Sequence, residues 1–205
     1  MPPAGKLITL EGLDGSGKTT LAAGLIAAFP GLTLLREPGG VVLAERLRGL
    51  VTDPALDVAP RAEALLYAAA RAQLVAERLE PLLRDGHDVL LDRFLDSSLA
   101  YQGAGRGLGV EAIRALNVFA TGGLVPDTTL LLRLPPGLGR RRQAARGAPD
   151  RLEREDDTFY ASVGAAYDAL AAAEPARFVV LDAAATPQAV LAEALPAITL
   201  ALAGR

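Results

Sequence analysis

The apolar positions of this 205-residue chain follow two alternating periods. Short β-type runs rich in Leu, Val, Ile and Thr occur at Leu7–Glu11, Leu32–Arg36, Asp88–Asp92, Thr128–Leu134 and Phe178–Asp182. Helical patterns separate them at Lys18–Phe29, Leu43–Val51, Ala62–Arg84, Val110–Thr121, Asp157–Ala173 and Pro187–Leu202. Strand and helix alternating at this spacing predict a single α/β domain, residues 1–205, with a parallel sheet covered on both faces. Such sheets bind ligands beyond the carboxyl ends of their strands, which draws attention to Glu11, Arg36, Glu37, Asp92, Arg93, Arg133 and Asp182. The pattern contains no internal repeat and no interdomain linker.

Composition narrows the chemistry. Aromatic residues are 4% and apolar residues 51%, so the core is expected to be aliphatic. There is no cysteine and one histidine, His87, which rules out a disulfide framework and any Cys-based or multi-His metal site. His87 follows a glycine in a loop and is read as exposed and idle. The absence of cysteine fits a reducing cytoplasm. Met1–Lys6 lacks the long apolar core of a signal peptide, and no run of about 18 apolar residues suggests a membrane span. The apolar last helix is broken by Glu193 and Pro196 and is read as packed. A net charge of −3 gives no reason to expect nucleic acid as a partner. Lys6 and Lys18 are the only lysines. The segment Arg140–Glu155 holds six arginines and is either a solvated junction or a lid.

Lys18 closes the strongest motif. Gly12-Leu13-Asp14-Gly15-Ser16-Gly17-Lys18-Thr19 matches G-x-x-x-x-G-K-[ST], with a strand before it and a helical run from Thr20 after it. The glycines let successive N–H groups turn toward phosphate oxygens, and the helix start adds its dipole. Lys18 reaches the β- and γ-phosphates, while Thr19 offers a hydroxyl to Mg²⁺. The motif specifies ATP or GTP. A guanine-reading Asn-Lys-x-Asp is absent, which favours a small phosphotransferase over a regulatory GTPase.

A second group of residues points to the acceptor. Asp92 at the end of a buried strand suits Mg²⁺ or its water shell, and Arg93 suits a phosphate. The segments Arg36-Glu37-Pro38-Gly39-Gly40, Asp92-Arg93-Phe94-Leu95-Asp96-Ser97-Ser98-Leu99-Ala100-Tyr101-Gln102-Gly103 and Asp150-Arg151-Leu152-Glu153 follow the phosphate loop in order. In these motifs the chain resembles the thymidylate kinase family, P-loop nucleoside monophosphate kinases that phosphorylate dTMP.

The resemblance implies a P-loop NTPase-type three-layer α/β/α fold with a five-stranded parallel sheet and a small helical lid near residues 140–155. It implies ATP bound by Gly12, Gly15, Ser16, Gly17, Lys18, Thr19 and Thr20, with Asp182 and Ala183 as a weaker match after the last strand. Mg²⁺ would be held by Thr19 and Asp92. The dTMP site would comprise Asp14, Arg36, Glu37, Pro38, Tyr67, Arg71, Arg93, Ser97, Ser98, Tyr101 and Gln102. Within it Asp14 would contact the sugar 3′-OH and Arg93 the acceptor phosphate. Tyr67 would stack on the base, with Arg71 at its carbonyl edge. Tyr101 would exclude a 2′-hydroxyl, and Gln102 would hydrogen-bond the base. Lys18, Asp14, Arg93 and the lid arginines Arg142, Arg146 and Arg151 form the expected catalytic set, with Asp150 and Glu153 orienting the lid by ion pairing. The family also implies a cytoplasmic homodimer, with Ala62–Arg84 and Val110–Thr121 as interface elements. Ala70 and Leu74 stand where members commonly carry Asp and His, Val41 where a Thr is usual, and Arg133 where an acid often ends the fourth strand. Phosphotransfer to dUMP or a deoxynucleoside is the alternative, followed by a non-catalytic ATP-dependent switch.

Overall fold

The computed structural model describes residues 5–144 and 150–203. Strand β1 (Leu7–Gly12) is buried along its whole length. It pairs in parallel with β3 (Val89–Asp92) on one side and β4 (Thr128–Arg133) on the other. β2 (Thr33–Arg36) and β5 (Phe178–Asp182) complete the order β2-β3-β1-β4-β5, the five-stranded parallel sheet expected from the sequence. Register sets Leu10 beside Asp92 and Arg133 beside Asp182. The charged strand ends therefore gather along one edge.

The two-residue period of the strands divides the core. Ile8, Leu10, Leu90, Leu130 and Leu132 face Leu21 and Leu25 of α1 (Lys18–Ala28) and Val190 and Ile198 of α9 (Pro187–Ala203). Leu7, Val89, Leu91 and Leu131 face the other layer. That layer comprises α2 (Val42–Thr52), α3 (Pro60–Leu74), α6 (Val110–Thr121) and α8 (Asp157–Ala173). Ala70 and Leu74, the departures from the family pattern on α3, are both buried there among apolar neighbours. α9 continues through Pro196, and no helix among the described residues is long and apolar enough to cross a membrane.

Three elements differ from the sequence reading. The helix expected over Ala62–Arg84 starts at Pro60 and widens into a π-helical stretch, Val75–Leu79, before α4 (Glu80–Arg84). Glu80 N–H bonds to Val75 O, and Pro81 follows. The wider turn precedes a residue that has no N–H to donate and whose ring crowds the preceding turn. The second difference is a helix in the segment after Arg93, comprising α5 (Leu95–Ser98) and a π-helical stretch, Leu99–Gly105. Asp96, Ser97, Ser98 and Gln102 are all buried there, so the inward face is polar and produces no apolar stripe to read. The third is α7 (Pro136–Ala144), which begins ahead of the expected lid and carries glycines at 137 and 139.

α5 is anchored from the far side of the sheet. Arg177, in the turn before β5, makes a bidentate pair with Asp96 at 2.6 and 2.9 Å and donates to Thr129 Oγ1 at 2.7 Å. The Asp96 side chain is fully buried. Removing its partner leaves an uncompensated charge in the interior, so Arg177→Met is expected to reduce unfolding free energy by about 3 kcal/mol. Urea denaturation measures this as a lower midpoint with an unchanged slope. A midpoint equal to that of the parent chain would refute the anchor.

Candidate active site

The phosphate loop connects β1 to α1 by a route open to few residues other than glycine. Gly12 and Gly15 have φ of 136° and 78°. A Cβ on Gly12 would lie 2.5 Å from Leu132 O, and one on Gly15 would lie 2.5 Å from Gly139 O. The second approach seats α7 directly against the loop. Lys18 Nζ donates to Gly12 O at 3.0 Å and Leu13 O at 2.9 Å. Burial, and next the Arg93 charge, push Lys18 down to about 8, against the opposing pull of Asp14, Asp92 and Glu11. Thr19 and Thr20 are exposed, while Ser16 Oγ is buried with no hydrogen-bond partner among the described residues.

Asp92 Oδ1 is a second buried oxygen without a partner among the described residues, and Asp92 lines one cavity with Lys18 and Thr19. A lone carboxylate beside a hydroxyl and a phosphate loop suits Mg²⁺, which retains waters and completes its shell with phosphate oxygens. No group of three or more His, Cys, Asp or Glu able to hold a metal occurs among the described residues.

One residue beyond Asp92 the backbone turns sharply. Arg93 has φ of 69°, the left-handed region, and its N–H bonds to Leu10 O at 3.0 Å. Its guanidinium pairs with the Asp14 carboxylate and donates to Ser97 Oγ at 3.0 Å. Tyr101 Oη donates to Asp14 at 2.9 Å. Burial alone would raise the Asp14 carboxyl, but the Arg93 and Lys18 charges and the Tyr101 bond hold it below the usual range. Asp14 and Arg93 line both the phosphate cavity and an adjoining one with Tyr67, Ser97, Ser98, Tyr101 and Gln102. They form the wall between the two.

The chain matches known proteins over most of its length. The thymidylate kinase family model matches residues 10–194. A thymidylate kinase of Deinococcus radiodurans is 54% identical over 183 residues, covering 87% of this chain and 89% of that protein. One from Lactobacillus delbrueckii subsp. bulgaricus is 45% identical, covering 92% and 93%. The crystal structure of thymidylate kinase from Ehrlichia chaffeensis superposes with a TM-score of 0.76 at 29% identity, covering 96% of this chain and 99% of that one. The chain belongs to the thymidylate kinase family.

Other residues expected from the thymidylate kinase motifs have specific neighbours. Arg36 pairs with Glu45 at 2.8 Å and donates to Pro38 O at 3.0 Å, at the rim of the phosphate cavity. Glu37 is buried, and burial raises its carboxyl against the opposing charge of Arg71. Arg71 lines the acceptor cavity and makes four hydrogen bonds and an ion pair within the protein. Nε and Nη2 pair with Glu37, Nη2 also bonds Phe94 O, and Nη1 bonds Ser98 Oγ and Asn117 Oδ1. In this arrangement it braces the pocket wall. Arg142 Nη1 bonds Ala183 O at 3.0 Å beside Gly15, Ser16, Gly17 and Thr20, while Asp182 caps Ala184 N. Arg151 bonds Val51 O at 2.9 Å and Glu63 at 2.6 Å, so its guanidinium is held by α2 and α3. Arg146 lies outside the described residues. Asp150 and Glu153 accept from each other's backbone N–H at 2.9 and 3.0 Å, a reciprocal cap. His87 is exposed, as read, and Arg133 pairs with Asp168 at the surface.

Sequence reasoning missed Arg48, Glu63 and Asn117. Arg48 lines both cavities and bonds Pro38 O at 3.1 Å, but nothing distinguishes it among many arginines. Glu63 had a signal: it lies four residues before Tyr67 and eight before Arg71, on one helical face.

Behind the wall lies a fully buried carboxyl, Glu11, at the end of β1. It accepts from Phe94 N at 2.8 Å, Ser97 N at 3.3 Å, Ser97 Oγ at 2.6 Å and Tyr167 Oη at 2.8 Å. Burial, and next the Asp96 charge, push it up to about 7, against the Ser97 bond, the Arg93 charge and the Phe94 N–H. The folded value exceeds the unfolded one, so the folded state binds more protons between them. Its stabilising effect is complete below the unfolded value and is lost as pH rises through about 7. Stability is expected to fall between about pH 5 and 8, and Glu11→Gln to flatten that fall. Urea midpoints of both proteins across this range measure the difference; parallel curves would remove Glu11 as its source.

Proposed function

We propose that this chain is a thymidylate kinase that transfers the γ-phosphoryl group of ATP to dTMP, giving ADP and dTDP. The observation that carries the reading is the Asp14–Arg93 wall, which two adjoining cavities share. Triphosphate in one and nucleoside monophosphate in the other would meet across it.

The Gly12–Thr19 backbone and Lys18 hold the donor phosphates, with Ser16 and Thr20 at the helix start. Ala183 lines a neighbouring cavity with Gly15, Gly17, Thr20 and Arg142, where the nucleoside of ATP would lie, with Asp182 next to it in the chain. Thr19 and Asp92 would hold Mg²⁺, which when bound neutralises charge on the bridging phosphate oxygens. Arg93 binds the acceptor phosphate, with Arg36, Glu37 and Pro38 at the adjoining rim. Setting Arg93 against one polyanion and Lys18 against the other reduces their repulsion, so that an acceptor phosphate oxygen can attack in line. No covalent protein intermediate is needed. Asp14 orients Arg93 and accepts from the sugar 3′-hydroxyl. Tyr101, whose ring lies 5.2 Å from the Arg93 guanidinium carbon, closes the sugar side, and Tyr67 offers a ring to the base. Ser97 and Ser98 steady Arg93 and Arg71 from α5. Arg146 and Arg151 are assigned to the lid that covers the phosphates, which requires Arg151 to exchange Glu63 for a phosphate.

A coupled ADP-release assay with dTMP, dUMP, UMP and thymidine tests the acceptor; dTMP is expected to be preferred, and a preference for thymidine would overturn the assignment. Arg93→Ala is expected to lower kcat by roughly 100-fold while leaving ATP affinity near that of the parent. Collapse of ATP affinity would put Arg93 on the donor side.

We infer a homodimer through the α3 and α6 layer. Leu65, Val118 and Val125 are exposed there and Phe119 is 89% exposed, an apolar group with no cover in the monomer. A cytoplasmic location is inferred from the family and the absence of cysteine. Sedimentation is expected to give a dimer that Phe119→Asp converts to monomer; a monomeric parent chain at micromolar concentration would refute the interface.

A further inference from the structure

Glu63 enters the mechanism above only as the resting partner of Arg151, yet it is among the most enclosed charged groups of the protein. It sits in the first turn of α3 with its side chain fully buried. Three donors converge on it: Gln102 Nε2 at 2.8 Å, Arg151 Nη2 at 2.6 Å, and Arg106 Nε at 3.2 and 3.3 Å. They come from two separate parts of the chain, the π-helical stretch with its following turn and the Asp150–Arg154 segment.

A glutamine amide has a donor end and an acceptor end, and its surroundings decide which faces where. A carboxylate flanked by two guanidiniums only accepts. It therefore draws the Gln102 NH₂ toward itself and turns Oε1 the other way. Gln102 lines the acceptor cavity with Tyr67, Ser98 and Tyr101. Its Oε1 accepts no hydrogen bond among the described residues. The neighbouring Arg71 directs Nη1 to Ser98 Oγ and Asn117 Oδ1, and Ser98 Oγ keeps its own O–H as a donor. Among the polar atoms that a base edge meets in this part of the cavity, Gln102 Oε1 is thus an oriented acceptor.

We propose that Glu63 is a positioning residue that sets base selectivity, by holding the Gln102 amide oxygen toward the cavity so that it accepts from a pyrimidine bearing N3–H. Thymine and uracil carry that proton. Cytosine presents a lone pair at N3, which would face the lone pairs of Oε1 and leave both unpaired. Because Arg151 bonds the same carboxylate, selection of the base is tied to the lid segment. The proposal rests on the reading that the base of dTMP enters beside Gln102.

The test is the ratio of kcat/KM for dTMP over dCMP in four proteins: the parent, Glu63→Gln, Arg106→Gln and Gln102→Leu. In Glu63→Gln the new amide offers a donor as well as an acceptor, so Gln102 is free to turn over. The ratio is expected to fall by about tenfold or more. Arg106→Gln removes an ion pair at the same carboxylate but leaves its bond to Gln102, and the parental ratio is expected. An unchanged ratio in Glu63→Gln, or an equal fall in Arg106→Gln, overturns the proposal. A parental ratio and dTMP KM in Gln102→Leu would overturn the base placement itself, which distinguishes the two failures. Should Glu63→Gln not fold, dTMP methylated at N3 serves on the parent protein. It is expected to be a poor acceptor, and turnover equal to dTMP would overturn the proposal.

Discussion

Much of this protein depends on one residue held in a conformation that its side chain disfavours. Arg93 has φ of 69°, which costs a non-glycine residue about 1–3 kcal/mol. The turn lets adjacent residues serve different substrates. Asp92 continues the strand direction toward the phosphate loop, while Arg93 swings to the acceptor side and meets Asp14. A regular extended strand would also send them to opposite faces of the sheet, but one of them would then enter a helical layer. The surroundings over-determine the turn. Leu10 O takes the Arg93 N–H, Glu11 takes those of Phe94 and Ser97, and Arg177 grips Asp96 from beyond β4. Glu11 and Arg177 thus act on the acceptor site without touching it.

How much of this the sequence reveals depends on which residues face inward. The strands and the α1 and α9 layer are legible because apolar residues recur at strand and helix periods, and the phosphate loop because its glycines have few substitutes. The segment Leu95–Gly105 carries the most specific family motif, yet its helical structure is invisible to pattern reading. Its inward residues are Asp96, Ser97, Ser98 and Gln102, whose partners are Arg177, Arg93 and Glu11, Arg71, and Glu63 in turn. Motif matching and periodicity fail in complementary places. A buried polar network has no period, and an apolar core has no motif.

The same limit explains Arg71. Spacing alone puts it on the face of α3 that carries Tyr67, and resemblance gives it a base to read. Neither reveals that Glu37, Ser98, Asn117 and the Phe94 carbonyl converge on it, because these come from separate parts of the chain. A buried guanidinium with its donors satisfied is rigid, and rigidity is useful in a pocket wall. α3 then contributes Glu63, Tyr67 and Arg71 along one stripe, with a ring between two charged braces. The ring offers a stacking surface, and the braces fix what lies to either side.

Two carboxyl groups near the wall show how placement, rather than residue type, sets chemical character. Asp14 and Glu11 are three residues apart and both lie near Arg93. Asp14 has Lys18 and Arg93 close by and a tyrosine hydroxyl on its second oxygen, so it remains an anion. Glu11 lies deeper, against the like charge of Asp96, and its donors are backbone N–H groups and hydroxyls rather than a bonded cation. It holds a proton far more readily. An anion is what the acceptor wall needs, since Arg93 must be oriented before a phosphate arrives and must remain available when it does. A second full negative charge behind that wall would compete for the same guanidinium. A partly protonated Glu11 competes for Arg93 less than a full negative charge would.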